Sequence, residues 1–273
     1  MSSKNVPITS NRRRIYHFLR RSQRFHAPCS ASTEVDVTDL FAAIAQAKAR
    51  GERAGFTAAV AKACGMIVRE HPRFHQHLFH GLFGRTTVEY DQVNATMMVQ
   101  RTDAAGEEVL FGAILRECDQ QSIAELHATI DRYKHAPVEE LPEYQGLARL
   151  KKLPAPARLA MSYLLRSNPG FFEKTIGGSF GISAYAGQST VPITTGHALS
   201  PLATSFFVGA AVDKPWVVNG AVVPRKILSL TLTIDHFLID GVEVVEALSE
   251  LGALLANPAA LGLAPAVSSR SAA

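Results

Sequence analysis

One short stretch of the sequence combines residues that can move a proton. Asp235, His236, Asp240 and Gly241 fall within seven positions, directly after an alternating apolar run. The unperturbed pKa of histidine, about 6.5, suits removal of a proton from a thiol, hydroxyl or amine near neutral pH. His236 is therefore a candidate general base, and the alternative is a structural histidine at a sheet edge.

The other reactive side chains form weaker patterns. Four histidines lie close together, His71, His75, His77 and His80, but Pro72 breaks the helical spacing that a pair of metal ligands needs. The three cysteines have no CxxC spacing, and the glycines do not form a phosphate-binding loop. The sequence therefore predicts no metal site and no disulfide framework. Three unpaired cysteines fit a reducing cytoplasm.

A strand and a helix are predicted to hold His236. From Lys226 to His236, apolar and polar residues alternate, which is typical of a strand with one apolar face. Asp240 then precedes an apolar-periodic run at 242–256, and with Glu243 it matches the D-x-x-E pattern of a capping box. We expect His236 at the junction between the two elements, where its backbone is firmly placed.

The rest of the chain alternates between predicted strands and helices. Further strands are predicted at residues 30–37, 86–100, 109–115, 179–186, 205–211 and 216–218. Helices are predicted at residues 12–22, 38–50, 57–70, 122–132 and 156–166. We interpret residues 144–175 as an inserted cover segment and residues 258–273 as a flexible tail. Periodicity by itself predicts only a mixed α and β fold.

Charge is unevenly distributed along the 273 residues, which include 28 Lys and Arg and 24 Asp and Glu. The first 26 residues contribute +7 and the remainder −3. Nucleic-acid binders usually carry basic residues across a folded face, so this distribution argues against that class. No apolar run approaches the roughly 18 residues of a membrane span. The Arg-rich start also fits a transit peptide, but its apolar spacing favours a packed helix.

Six segments spread along the chain carry recognisable motifs. They are V-P-I at 6–8 with Arg12, T-E-V-D-V-T at 33–38, E-H-P at 70–72, G-S-F-G-I-S at 178–183, K-P-W-V-V-N-G at 214–220 and D-H-F-L-I-D-G at 235–241. Together they resemble the catalytic domain of the 2-oxoacid dehydrogenase dihydrolipoyl acyltransferases and, more distantly, chloramphenicol acetyltransferase. The resemblance implies an α/β two-layer sandwich with a mixed sheet, formed by one catalytic domain over residues 1–257.

The resemblance also implies roles for four residues. His236 would deprotonate the attacking thiol, and Ser183 would donate a hydrogen bond to the tetrahedral oxyanion. Asp240 is expected to pair with Arg12, which supports the site, and to cap the helix; a supporting role of Asp240 in catalysis is the alternative. Acyl-CoA is the expected substrate, and no metal is implied.

Partners and alternatives follow from the same resemblance. It implies a homotrimer with the active site between subunits, and leaves open a larger cage. No lipoyl attachment is expected in this chain, so an acceptor thiol would arrive on CoA, on a small molecule or on another protein, such as a lipoyl or carrier domain in trans. Arg20 and Arg21 are expected either to face solvent or to attract CoA phosphates. The predicted function is CoA-dependent acyl transfer to a thiol, hydroxyl or amine, and the alternative is a non-catalytic trimeric scaffold. The sequence does not specify the acyl group or the acceptor.

Overall fold

The computed structural model describes residues 26–82, 84–185, 193–196 and 202–264. Its strands are β1 (Pro28–Asp36), β2 (Gln76–Gly81), β3 (Gly84–Glu89), β4 (Ala95–Thr102), β5 (Glu108–Leu115), β6 (Phe180–Ala184), β7 (Thr204–Val218) and β8 (Ala221–Asp235). Its α-helices are α1 (Thr38–Ala49), α2 (Phe56–Glu70), α3 (Ile123–His135), α4 (Pro142–Lys152), α5 (Ala155–Ser167), α6 (Pro169–Ile176) and α7 (Gly241–Ala256). The helix predicted at 12–22 lies outside the described residues.

Six of these strands form one mixed sheet. Their order is β1, β8, β7, β6, β4, β5, and β6 runs parallel to both of its neighbours while the other pairs are antiparallel. Helices α1, α2 and α7 share a buried core with the apolar residues of β8, which places the helical layer on one side of the sheet. The predicted α/β two-layer sandwich with a mixed sheet is confirmed.

The C-terminal hairpin is longer than predicted. β7 and β8 contain 15 residues each and pair along their length, joined at Asn219 and Gly220, whose φ angles are 52° and 81°. Positive φ at both positions matches the two-residue turns that suit twisted strands. The sequence predicted shorter strands, whereas in the structure the ladder continues through Pro215 and Pro224, which lie opposite each other in the pairing register.

The polar face of β8 is buried as well as its apolar face, contrary to the expectation of one buried side. Thr231 is 1% exposed and Thr233 is 6% exposed. The Thr233 hydroxyl lies 2.9 Å from Ser30 Oγ, and the Thr231 hydroxyl lies 2.8 Å from Ser32 Oγ and 3.2 Å from Thr195 Oγ1. Paired hydroxyls satisfy one another, which lets this face lose contact with water.

The segment predicted as one strand at 86–100 is divided. β3 pairs with β2 in a separate two-stranded sheet, and β4 enters the main sheet, where it forms the predicted hairpin with β5. Between β3 and β4, Asn94 accepts a hydrogen bond from the Ser179 backbone N–H at 2.7 Å, and its side chain accepts one from Glu117 N–H at 2.8 Å. This anchor redirects the chain from one sheet to the other.

Two further parts of the chain, the segment 142–176 and the C-terminal segment from residue 258, also differ from prediction. The helix predicted at 156–166 is confirmed as α5, but the helices α4 and α6 on either side of it were not predicted. The flexible tail was predicted from residue 258, but Pro258–Leu261 forms a 3-10 helix, and Leu261 and Leu263 are buried in the main core. Two apolar side chains in an Ala- and Pro-rich segment are enough to fix it against α7. Residues 265–273 lie outside the described ranges.

Close packing at Gly178 places β6 beside β4. A Cβ at Gly178 would lie 1.9 Å from Thr96 Oγ1 and 2.9 Å from the Thr96 backbone nitrogen. We expect Gly178→Ala to lower the free energy of unfolding by about 1–3 kcal/mol through overpacking. Gly146→Ala in α4, where a Cβ meets nothing within 4 Å, is the control and should raise stability by about 1 kcal/mol. Urea unfolding measures both, and equal midpoints would contradict the close contact.

A buried histidine belongs to a second, smaller apolar cluster formed around β2 and α6. His77 is 3% exposed, its ring centroid lies 4.9 Å from that of Phe172, and neither ring nitrogen has a hydrogen-bond partner among the described residues. Burial, with smaller effects of His26 and His75, lowers the pKa of His77 to about 3. His77 therefore stays neutral in the folded protein at pH values where the unfolded chain binds a proton.

This neutral histidine predicts acid sensitivity. Because its pKa is lower in the folded state, stability falls as the pH drops below the unfolded pKa near 6.5, by about 2 kcal/mol between pH 7.5 and pH 5. His77→Leu should remove that part of the pH dependence, whereas His135→Gln, at an exposed position, should keep it. Urea unfolding at both pH values and a fixed protein concentration tests this, and an unchanged pH dependence in His77→Leu would contradict it.

Candidate active site

His236 lies directly after β8, in a turn that leads into α7. Its backbone N–H donates to Ala27 O at 2.9 Å, which continues the pairing of β1 with β8 by one residue. The N–H groups of Leu238 and Ile239 both donate to Asp235 O, at 2.9 and 3.2 Å. The His236 side chain is about half exposed. The backbone is thus fixed while the imidazole stays accessible, as a general base requires.

The Asp235 carboxylate lies within hydrogen-bond distance of three groups around this turn. Its side chain is 1% exposed, Oδ2 lies 2.7 Å from His26 Nδ1, and Oδ1 accepts from the N–H groups of Ala27 and Phe237 at 3.1 and 3.2 Å. Burial opposes ionisation, but the hydrogen bond with His26 and the two backbone donors outweigh it and lower the pKa of Asp235. The turn is therefore built around a buried carboxylate.

Sequence reasoning missed the roles of Asp235 and His26. The pattern placed Asp235 on the polar face of the strand and gave no sign that this face is buried. A usable signal was the position of an acid on the last residue of a strand, directly before the candidate base. His26 is 209 residues away in sequence and carries no local signal.

Asp240 occupies the N-cap position of α7, but it makes no side-chain cap hydrogen bond. The predicted capping box is therefore wrong. Glu243 instead accepts from Arg73 Nη1 at 2.7 Å, because Arg73, on the turn after α2, reaches the start of α7. The Asp240 carboxylate is largely exposed, 3.9 Å from both Arg73 Nη1 and His236 Nδ1. Its predicted partner Arg12 lies outside the described residues.

Ser183 is partly buried on β6 and does not meet His236 within one chain. Ser183 is in register with Phe207 of β7, which is in register with Thr231 of β8, and His236 follows five residues after Thr231. With about 3.3 Å per residue along a strand and about 4.8 Å between strands, the two Cα atoms are roughly 20 Å apart. Cross-strand neighbours share a face, so Ser183 lies on the polar face of the sheet with Thr231. One chain brings together His236, Asp235 and Asp240, but not Ser183.

An exposed apolar surface surrounds His236. Phe237, Val242 and Val245 are 62%, 70% and 62% exposed, and all three lie on the turn or the first two turns of α7. Large apolar side chains grouped in this way mark a surface that contacts a partner or a ligand.

The four-histidine segment does not assemble into a metal site in the described part of the chain, where no group of three or more His, Cys, Asp or Glu side chains could hold an ion. His71 Nε2 lies 2.8 Å from Glu250 Oε2, whereas His77 is buried among aromatic rings. No helix within the described ranges has the length and apolar character to cross a membrane.

Comparison with known proteins identifies the family. The chain matches "2-oxoacid dehydrogenases acyltransferase (catalytic domain)" over residues 1–140 and 171–263. Residues 141–170, which contain α4 and α5, lie outside the match and overlap the segment interpreted as an insertion.

Two relatives show the extent of the similarity. The dihydrolipoyllysine-residue succinyltransferase component of the mitochondrial 2-oxoglutarate dehydrogenase complex 1 of Arabidopsis thaliana is 25% identical over 266 residues, covering 93% of this chain and 48% of the relative. The dihydrolipoyllysine-residue acetyltransferase component of the Pseudomonas aeruginosa pyruvate dehydrogenase complex is 26% identical, covering 81% of this chain and 35% of the relative. The chain therefore spans about half or less of the length of these curated relatives.

Solved structures share the fold. The dihydrolipoamide acetyltransferase of Azotobacter vinelandii has a TM-score of 0.69 at 24% identity and covers 96% of this chain and 95% of its own. A probable dihydrolipoamide acetyltransferase of Listeria monocytogenes has a TM-score of 0.66 at 21% identity and covers 94% of this chain and 95% of its own. Since the family match includes both the strand with Ser183 and the turn with His236, the chain belongs to the 2-oxoacid dehydrogenase acyltransferase catalytic-domain family.

Proposed function

We propose that this protein transfers an acyl group from a thioester donor, acyl-CoA, to a thiol, hydroxyl or amine. The observation that carries the proposal is His236, an accessible imidazole on a backbone fixed by four hydrogen bonds, in a chain of this family. The relatives are named as acyltransferases of dihydrolipoyllysine residues, which makes the thiol of a lipoyl domain acting in trans the first acceptor to test.

In the proposed reaction His236 transfers the proton and Ser183 stabilises the oxyanion. The His236 imidazole takes the proton of the acceptor while the acceptor atom attacks the thioester carbonyl carbon. The carbonyl oxygen becomes an oxyanion, and the Ser183 hydroxyl donates a hydrogen bond to it. When the tetrahedral intermediate collapses, the C–S bond breaks, and the CoA thiolate leaves and takes up the proton held by His236. The reaction needs no further reactant.

A histidine and a serine roughly 20 Å apart in one chain cannot act on one carbonyl group. We therefore propose a homotrimer in which His236 of one subunit faces Ser183 of its neighbour across a shared channel. The exposed apolar surface of Phe237, Val242 and Val245 beside His236 supports contact with another subunit. One similar structure is the cubic core of a pyruvate dehydrogenase multienzyme complex, which supports assembly beyond the trimer as a further proposal.

The role of Asp240 in this proposal is to face His236 rather than to cap α7. The Azotobacter structure was determined to examine one serine, one histidine and, four positions after the histidine, one asparagine in the catalytic mechanism. Asp240 follows His236 by four positions and could accept a hydrogen bond from Nδ1 after a small movement from 3.9 Å. The predicted cytoplasmic location stays a prediction.

The role of His236 predicts a large loss of activity without loss of structure. His236→Ala should lower kcat for acyl transfer by about 10²- to 10⁴-fold, as expected for removal of a general base. His135→Ala at an exposed position is the control and should leave kcat unchanged. The assay uses acetyl-CoA and succinyl-CoA with a free lipoyl domain and a panel of amines and alcohols, with circular dichroism to verify folding.

Full activity of His236→Ala would contradict the proposal. A wild-type protein that forms trimers but transfers no acyl group and binds no CoA by calorimetry would instead support the non-catalytic scaffold.

An active site shared between subunits predicts complementation. Ser183→Ala and His236→Ala, each inactive alone, should regain activity when unfolded together and refolded as mixed trimers. For random mixing in a cyclic trimer, each site receives an intact Ser183 and an intact His236 with a probability of about one quarter, so about a quarter of wild-type activity should return. No recovery in mixed trimers, verified by mass spectrometry, would show that the two residues do not come from different subunits.

A further inference from the structure

The carboxylate of Asp235 connects the chain on both sides of His236. Its Oδ1 accepts one hydrogen bond from Ala27 N–H on the incoming β1 strand and another from Phe237 N–H, directly after His236. Its Oδ2 lies 2.7 Å from His26 Nδ1. Among the described residues, His26 supplies the only side-chain donor to this carboxylate.

The backbone of the same turn depends on the position of Asp235. The N–H groups of Leu238 and Ile239 donate to Asp235 O, and His236 N–H donates to Ala27 O. Four consecutive amides, those of residues 236–239, therefore depend on Asp235. Three of them donate to Asp235 itself, and the His236 amide donates to Ala27, whose own N–H donates to the Asp235 carboxylate. A shift of this carboxylate would move the whole turn, including the imidazole.

We propose that His26 is a positioning residue for His236 and acts through the buried carboxylate of Asp235. The proposal rests on the proposed acyltransferase function, which assigns His236 the role of base. Nδ1 carries a proton in one neutral tautomer and in the charged imidazolium, so His26 can donate to Asp235 in both states.

The energetic reason is the burial of Asp235. A carboxylate that is 1% exposed stays ionised only while its oxygens are paired, and removal of one partner leaves a buried charge that is poorly compensated. Without His26, Asp235 would take up a proton more readily, and Oδ1 would hold the Ala27 and Phe237 amides less firmly. His236 would then lose the fixed position that proton transfer needs.

Other titratable groups near the pair come from β2, β3 and α5. His77 and His80 on β2 interact with both His26 and Asp235, and Arg85 of β3 and Arg166 of α5 act on His80. Burial lowers the pKa of both His77 and His80, so both favour the neutral form in the folded protein. Removal of His26 changes the electrostatic surroundings of His77 and His80 as well as those of Asp235, so all variants are compared at one fixed pH.

Two substitutions of His26 separate its hydrogen bond from its bulk. The amide nitrogen of Asn occupies about the position of Nδ1, so His26→Asn can keep the bond to Asp235. The amide of the longer Gln reaches the position of Nε2 instead, so His26→Gln loses the bond. His135→Asn is the control for removal of a histidine at an exposed position. All are compared with wild type as the assembled protein.

Kinetics give the first readout. His26→Gln should lower kcat by about tenfold or more while KM for acetyl-CoA stays nearly unchanged, because the base is misplaced and the donor site is intact. His26→Asn should restore kcat close to wild type.

Amide hydrogen exchange gives a second readout that does not require activity. In His26→Gln, the amides of residues 236–239 should exchange about tenfold faster, while those in the centre of β8 stay protected. His26→Asn and His135→Asn should keep wild-type protection.

Unchanged kcat and exchange in His26→Gln would overturn the proposal, as would a His26→Asn variant as impaired as His26→Gln. An inactive wild-type protein would overturn the proposed function instead, and the exchange measurement would still decide whether His26 holds the turn.

Discussion

A buried carboxylate at the end of the last strand is the constraint on which the candidate site depends. Asp235 is charged, almost inaccessible to water and surrounded by three donors from two distant parts of the chain. Loss of a partner would leave this buried carboxylate poorly compensated, so the arrangement tolerates little movement. The position of this one side chain therefore constrains the pairing of β1 with β8, the turn after β8 and the start of α7. Together these constraints fix the position of His236.

The sheet serves two different purposes on its two faces. Towards the helices it buries Leu228, Leu230 and Leu232 in the main core, which stabilises the domain in the usual way. On the opposite face Thr231 and Thr233 are buried with their hydroxyls paired to Ser32 and Ser30, and the partly buried Ser183 lies on the same face. The same sheet thus buries an apolar core on one side and presents paired hydroxyl groups on the other.

Local sequence patterns predicted elements whose determinants are also local. The Ser122 capping box forms as expected, and the Ser122 backbone N–H and hydroxyl donate to Glu125 Oε2 at 2.8 and 2.7 Å. An equivalent pattern at Asp240 and Glu243 does not form, since Arg73 pairs with Glu243 from another part of the chain. The strand that leads to His236 was predictable from its alternation, whereas the burial of its polar face was not, because that depends on hydroxyls of β1 and of the segment 193–196. His26 and Asp235 meet only through the fold.

In the proposed reaction His236 and Ser183 must meet across a subunit boundary, because they are far apart in one chain. A crystal structure of the assembled protein with a non-hydrolysable acyl-CoA analogue, in which a methylene replaces the thioester sulfur, tests this most directly. The proposed shared site predicts the carbonyl oxygen at about 3 Å from Ser183 Oγ of one subunit, and His236 of the adjacent subunit facing the same carbonyl carbon. An analogue bound away from both residues, or contacted by His236 with Ser183 elsewhere, would contradict it.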